Sequence, residues 1–461
     1  MKQIKTSVIP TNQTYVKVRA PHELDKKAIC IFAATSYFLG TDTYWKDEKV
    51  LPPGTINTID DKGNWVDSQP WFKWHYSPRD ISFDQAVNEF TELFHTICKE
   101  QASNDTVLLP LSGGLDSRTQ AVAYSKLGNP VLSYSYSFHN GYKEGIIAKK
   151  IAEVLGYKYN DMTIREGYLW DKVDQLAKLL NYGTEFTHAR QMAVIEEFRK
   201  MDGVFTLGHW GDVLFDSPAP KDLTEENVEE WLLKKIIVKG GQELAEALWK
   251  EWEIEGEFMP YLKQRIKEVW DTIPIENVSA KARAYLSSTR AVRWTNLGFA
   301  IFEATNPVQA PYYDDRMAAF ICGINEEYLA DRKIQIAYLK NESPEVAKII
   351  WQAQKPYNLY TFQKNKSPYN LPYQIVDKVK RVINGKLGKP FIQRNWELQF
   401  LGMENDEKLQ EHLFGENLHP FLPKELLARF YNNFKTKNMV EYSHPLSMLL
   451  ALAVWYKNEV K

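Results

Sequence analysis

An apolar run that breaks into two glycines and at once enters a helix constrains this chain more than any other stretch: Val107-Leu108-Leu109-Pro110-Leu111-Ser112-Gly113-Gly114-Leu115-Asp116-Ser117-Arg118. Continuous apolar residues bounded by turn residues are the pattern of a strand buried on both faces, and such strands occur in parallel sheets. The alternation continues downstream. Helix-like Arg118 to Lys126 leads to strand-like Val131 to Ser137, helix-like Glu144 to Leu155 and strand-like Tyr157 to Ile164. Two helical stretches and strand-like Gly203 to Leu207 follow, and Gly128 and Gly156 stand where helix C-caps are expected. The spacing predicts an α/β fold of right-handed βαβ units around a parallel sheet.

The flanks read differently. Residues 1–80 are expected to form a small β-rich unit, with short β-type runs at Tyr15 to Val18 and Ala28 to Phe32 between turn signals such as Pro52-Pro53-Gly54 and Asp61-Lys62-Gly63. Ala86, Val87, Phe90, Leu93, Phe94 and Ile97 then fall at helical spacing, which opens a second unit, 81–461. Its α/β core is expected over 81–220 and a mostly helical region over 221–461. With 461 residues, 44% of them hydrophobic, the chain can bury cores of that size.

Charge and cysteine usage exclude several classes. Lys+Arg number 57 and Asp+Glu 59, so a net charge of −2 offers no electrostatic footprint for nucleic acid. The three cysteines, Cys30, Cys98 and Cys322, have neither CxxC nor Cys/His spacing, which argues against a zinc site and a disulfide framework and fits a reducing compartment. No run of about 18 apolar residues occurs, and the amino-terminal stretch lacks a signal-peptide pattern. The expectation is a soluble cytoplasmic protein with no membrane or nucleic-acid partner.

The Ser112 loop has the makings of a pyrophosphate cradle. Gly113 and Gly114 let backbone approach a ligand, while amides at the helix start and the hydroxyls of Ser112 and Ser117 can donate to an anion. An ordinary βα turn with an N-cap would use similar residues. The full string Ser-Gly-Gly-Leu-Asp-Ser, however, resembles the signature of the ATP pyrophosphatases, or PP-loop enzymes, and lacks the spacing of a GxxxxGK[ST] or GxGxxG loop. The resemblance implies ATP as ligand and Asp116 as a ligand of Mg²⁺.

A second apolar run, Val204-Phe205-Thr206-Leu207, ends in the turn Gly208-His209-Trp210-Gly211-Asp212. Strand carboxyl ends in an open α/β sheet are where ligands bind, so Asp212 is expected beside the first loop as a second metal ligand. With both segments in order, the chain from about Ile81 to Pro356 resembles the synthetase half of the asparagine synthetases, a family that includes β-lactam synthetases and lasso-peptide macrocyclases. Val308-Gln309-Ala310-Pro311-Tyr312-Tyr313-Asp314-Asp315 is similar to a family segment that carries an arginine where this chain has Gln309. Pro344-Glu345-Val346 with Trp351-Gln352-Ala353-Gln354-Lys355 is similar to the stretch bearing the family's active-site lysine, which matches Lys355. The resemblance implies an amide-forming ligase that activates a carboxylate as an acyl-adenylate. It implies catalytic roles for Lys355 and His209, metal ligation by Asp116 and Asp212, and nucleotide contacts from Leu111, Ser112, Gly113, Gly114, Asp116, Ser117, Ser137 and Gly208. Glu144 matches an acidic family position and equally suits a helix start.

The departures point away from a true asparagine synthetase. His209 stands where the family has a glutamate. A histidine there is either a general base toward the attacking amine or a turn residue bonding to backbone. The family's glutaminase unit needs a cysteine exposed as residue one, whereas position 2 is Lys2 and the first cysteine is Cys30. Residues 1–80 are too few for a whole glutaminase domain, although Gly40-Thr41-Asp42 through Gly54 looks like the end of one. The expected substrates are a small-molecule or peptide carboxylate and either ammonia or an amine, with residues 1–80 as a possible docking unit for a protein partner. Two rival classes are a non-catalytic nucleotide-binding protein and a PP-loop enzyme acting on RNA. Glu185 and Arg190, in Thr184 to Arg190, are candidates for substrate contact or for capping. The basic segment Lys378 to Arg394 reads as a solvated helix face, and Trp231, Trp249, Trp252 and Trp270 read as core.

Overall fold

A computed structural model of the chain describes residues 1–141, 145–220, 222–386, 392–415 and 418–460. The amino-terminal unit holds β1 (Lys2–Lys5), β2 (Tyr15–Lys17), α1 (Lys26–Thr35), β3 (Glu48–Val50), β4 (Thr55–Ile59) and β5 (Trp65–Pro70). Strands β1, β4 and β5 form one antiparallel sheet and β2 with β3 another.

Ala28 to Phe32 is not a strand: it lies within α1, capped by Asp25, whose Oδ1 accepts from the Ala28 amide at 3.1 Å. An apolar run of this length cannot be assigned by periodicity, because a helix buried on every side shows no polar face. Every residue from Ala28 to Thr35 is buried. Helix α1 packs against the helices Gly241–Glu251 and Met439–Glu459, so the amino-terminal unit shares its apolar core with the carboxyl-terminal helices.

Helix α2 (Phe83–Ala102) begins with a capping box in which the Gln85 amide donates to Ser82 Oγ at 3.2 Å and the Ser82 amide to Gln85 Oε1 at 2.8 Å. Its apolar stripe, including Phe90, Phe94 and Ile97, is fully buried. Then come β6 (Val107–Pro110), α3 (Asp116–Leu127), β7 (Val131–Phe138), α4 (Gly145–Leu155), β8 (Lys158–Ile164), α5 (Val173–Leu179), α6 (Ile195–Phe198), β9 (Val204–Thr206) and α7 (Gly211–Leu214). These are the predicted alternating elements. One strand was not foreseen: β10 (Val308–Gln309) pairs in parallel with β9, and two residues within a helical region are too short to show a period.

The five strands form one parallel sheet in the order β10-β9-β6-β7-β8. Chain order runs outward from β6 to β8 on one side and resumes with β9 on the other. The switch point therefore lies between β6 and β9, where crevices open at strand carboxyl ends. Beyond residue 221 helices predominate, and Trp249, Trp252 and Trp270 are buried while Trp231 is half-buried. No helix among the described residues is long and apolar enough to cross a membrane.

Candidate active site

The loop after β6 and the turn after β9 meet at the switch point. Within the first, the Ser112 amide donates to Ser117 Oγ at 3.1 Å, the two hydroxyls lie 3.1 Å apart, and the Gly114 amide donates to Ser112 Oγ at 3.1 Å. The loop is thereby shaped before any ligand arrives. The Leu111 amide donates to Tyr134 O at 2.8 Å and its carbonyl accepts Ser135 Oγ at 2.5 Å, which ties the loop's entry to β7. Ser137, near the end of β7, has a buried hydroxyl with no protein partner.

Asp116 opens α3, and its Oδ1 accepts from the Arg332 guanidinium and, at 3.1 Å, from Gln335 Nε2. Gln335 Nε2 also reaches Tyr312 Oη at 2.9 Å. Burial holds the Asp116 carboxyl above the usual range, opposed by Arg332 and reinforced by Asp212. The two carboxylates are thus close enough to feel each other. A Cβ on Gly211 would lie 2.3 Å from Asp116 Oδ1, so only glycine lets the first turn of α7 come this near. Asp212, the next residue, is exposed. Among the described residues no group of three or more His, Cys, Asp or Glu could hold a metal. A pair of carboxylates beside a phosphate site nevertheless suits Mg²⁺, which keeps several waters and takes substrate phosphates as ligands.

Lys355 lies just after the short 3₁₀ turn Gln352–Gln354, exposed, with extended backbone. The turn is fastened to the loop. The Gly113 amide donates to Gln352 Oε1 and the Gln352 amide to Gly113 O, both at 3.1 Å. A Cβ on Gly113 would meet Gln352 at 2.7 Å. Arg118, wholly buried, donates to Gly113 O at 3.2 Å, Ile349 O at 3.1 Å and Ile350 O at 2.8 Å. Burial lowers its basicity to a pKa of about 10, so it remains a cation at neutral pH.

In the turn after β9, a Cβ on Gly208 would approach Gln120 Oε1 to 2.8 Å, which places this turn against α3. His209 packs edge-on against Phe299 at 4.9 Å between ring centroids, and its Nδ1 is buried without a protein partner. Burial lowers its pKa to about 4, against a smaller opposing pull from Asp212. The imidazole is therefore neutral at pH 7. On its other side His209 lines a cavity of about 500 Å³ walled by Tyr136, Phe138, Arg190, Trp294 and Arg394 among others. Glu185 does not line it: its Oε2 accepts from Ser447 Oγ at 2.5 Å and from the amide and hydroxyl of Thr187 at 2.6 and 2.8 Å. Glu144, Lys389 and the side chains of Lys380, Arg381 and Lys386 lie outside the described residues.

Residues 89–341, more than half of the chain, match the family model described as asparagine synthase. The chain belongs to the asparagine synthase family. No curated protein matches it. Among solved structures, the NMN synthetase of Francisella tularensis is 15% identical with a TM-score of 0.23, covering 45% of this chain and 94% of that one. The NH₃-dependent NAD synthetase of Campylobacter jejuni subsp. jejuni is 14% identical with a TM-score of 0.22, covering 41% of this chain and 94% of that one. At such TM-scores the likeness carries no argument.

As a member of the asparagine synthase family the chain belongs among ATP-dependent amide-forming synthetases. Four side chains near its loop had escaped sequence reasoning: Arg118, Arg332, Gln335 and Gln352. Three of them reach the loop from positions more than 200 residues away, at sequence separations of 216, 219 and 239. Arg118 stood at the end of the signature string, and the only available signal was that the residues three and four away, Leu115, Ala121 and Val122, are apolar.

Proposed function

We propose that this chain is an AMP-forming carbon–nitrogen ligase that activates a carboxylate as an acyl-adenylate and passes the acyl group to ammonia or a substrate amine. The observation that carries the reading is the convergence of the Ser112 loop, the Asp116–Asp212 pair and the fastened Lys355 segment at one switch point.

In the first step a carboxylate oxygen attacks the α-phosphorus of ATP, and the bond to the bridging oxygen of the β-phosphate breaks. Amides and hydroxyls from Ser112 to Ser117 receive the departing pyrophosphate, with Lys355 as a further positive charge. Asp116 and Asp212 would hold Mg²⁺, which supplies neutralisation of phosphate charge when bound. Leu111, Ser137 and Gly208 border the place for adenine and ribose. In the second step an amine attacks the acyl carbon and AMP leaves. His209, neutral at pH 7, accepts the proton released by the amine, and Asp212 stabilises the resulting cation.

Glutamine is not the nitrogen source in this reading. Cys30 is buried in α1 and burial pushes its thiol up, far from the thiolate that amide hydrolysis needs. The amine comes from free ammonia, a partner or the substrate, and the amino-terminal unit is the surface at which a partner would dock. A soluble cytoplasmic setting follows from the same reading.

Nucleotide product analysis tests it: protein with ATP, Mg²⁺ and aspartate, with and without ammonium, resolving AMP from ADP. AMP, pyrophosphate and asparagine would establish the simplest member of the class. ADP would end the adenylation reading. AMP only with other acids would keep the chemistry and replace the substrate.

A further inference from the structure

The cavity beside His209 has walls unlike those a free amino acid requires. Tyr136 and Phe138 form one flank, with the Arg190 guanidinium 5.4 and 5.7 Å from their ring centroids. On another side Trp294 packs at a tilt of 31° against His188, ring centroids 4.1 Å apart, and the Arg290 guanidinium, outside the cavity lining, lies 4.4 Å from the Trp294 ring. Arg394 also lines the space. Among the described residues none of these three arginines is in an ion pair, and none of the lining side chains is a carboxylate.

Two consequences follow from charge. Guanidinium groups clustered without counter-ions favour an anion and meet carboxylates in a two-pronged geometry. A ligand ammonium, by contrast, would be brought among like charges with no acid to receive it. Shape adds a third. A cavity of about 500 Å³ has far more room than a four-carbon acid fills, and the aromatic side chains along its walls offer apolar surface to a flat body. Trp294 Nε1, Thr184 Oγ1 and Thr295 Oγ1 are buried without protein partners, so this wall holds spare hydrogen-bonding capacity. The cavity meets the nucleotide site at His209, which places a bound acid within reach of the phosphate loop.

We infer that the acid taken by this cavity is an aromatic carboxylate carrying a second anionic group and no free ammonium: the ring lies against Tyr136, Phe138 and Trp294, the second anion meets Arg190 and Arg394, and the other carboxylate faces the nucleotide. The inference rests on the adenylation reading only for the fate of that last carboxylate; the binding preference stands apart from it.

Calorimetric titration of the full chain without ATP separates the two. The probes are isophthalate and phenylsuccinate, against benzoate, L-phenylalanine and L-aspartate. At least one of the aromatic diacids is expected to bind at least about tenfold more tightly than benzoate or either amino acid. Arg190→Gln, on an exposed side chain whose loss leaves the core intact, is expected to weaken that diacid by about tenfold to a hundredfold while ATP binds as before. Trp294→Leu is expected to weaken it as well. Failure of both diacids to bind at millimolar concentration, equal or tighter binding of aspartate or phenylalanine, or an R190Q variant that binds the diacid unchanged would each overturn the inference. Pyrophosphate exchange into ATP with the same acids reads the other question. Diacid binding without exchange would leave the cavity's chemistry standing and defeat adenylation, whereas exchange with aspartate and no diacid binding would do the reverse.

Discussion

On the phosphate side of the switch point, Ser112, Gly113, Gly114 and Ser117 bond to one another and to Gln352, and Asp116 is held by Arg332 and Gln335. Across His209, the cavity-lining Arg190 and Arg394 meet no carboxylate among the described lining residues, and several polar atoms are buried without protein partners. The contrast is between a loop whose polar groups are satisfied internally and a cavity whose polar groups are left open. On the proposed function the loop is a phosphate cradle with one geometry to hold, and holding it before ATP arrives would spare reorganisation during the reaction. A pocket for a variable acid is specified by the charges and rings that remain unmatched until the acid enters.

The sharpest way to break this comparison is at the carboxylates. Asp212→Asn alters an exposed side chain and is expected to leave the fold intact while lowering AMP formation by about 10²- to 10³-fold, and Asp116→Asn by at least as much. Turnover within a factor of a few of the unmodified chain for either variant would show that the cradle is not catalytic. Next in size is Gly211→Ala, which must push α7 away from Asp116; a stability loss of about 1–3 kcal/mol is expected in denaturant titration, together with reduced turnover. Gln352→Ala frees the Gly113 amide and loosens the lysine segment. It is expected to cost about tenfold in kcat, with a smaller change in the KM for ATP. The smallest effect sharpens the acid side. In the proposed mechanism His209 must be neutral to accept a proton, so activity is expected above its pKa and is expected to be lost as pH falls through about 4. Between pH 5 and 8 its protonation is expected to change kcat by less than about twofold, and His209→Asn should lower the rate while removing the acid limb. A limb near pH 6.5 that disappears in His209→Asn would show an ordinary imidazole, whereas one that survives that change belongs to another group such as Asp116, which burial raises to about 6.

How much of this was legible in the sequence follows from how local each feature is. The strand, loop and helix around Ser112 to Ser117 are contiguous, and a glycine pair between an apolar run and a helix start has few other uses. The alternation that predicts the parallel sheet is also local, and β6 to β9 all fall where it places them. Helix α1 was read as a strand because an element buried all round has no periodic face. Lys355 was legible only through its resemblance to a family position, since the bonds that fasten its segment run from Gln352 to Gly113, 239 residues away. Arg332 and Gln335 could not be read at all, since nothing near them in sequence mentions Asp116. The acid cavity draws on five stretches of chain, near residues 136, 184–191, 209, 294–298 and 393–395. The sequence reading had singled out the stretch Thr184 to Arg190 and His209 among them, and had read Arg394 as the end of a solvated helix face.

The Arg118 clamp has a mechanical consequence. By joining Gly113 to Ile349 and Ile350 it makes the loop and the first part of the lysine-bearing segment a single rigid piece. Any movement of Lys355 must then open the turn after Ile350, breaking the Gln352 bonds or the bond from the Trp351 amide to Tyr357 O. Amide exchange should register that border as a step, slow through Ile350 and faster from Gln352 onward.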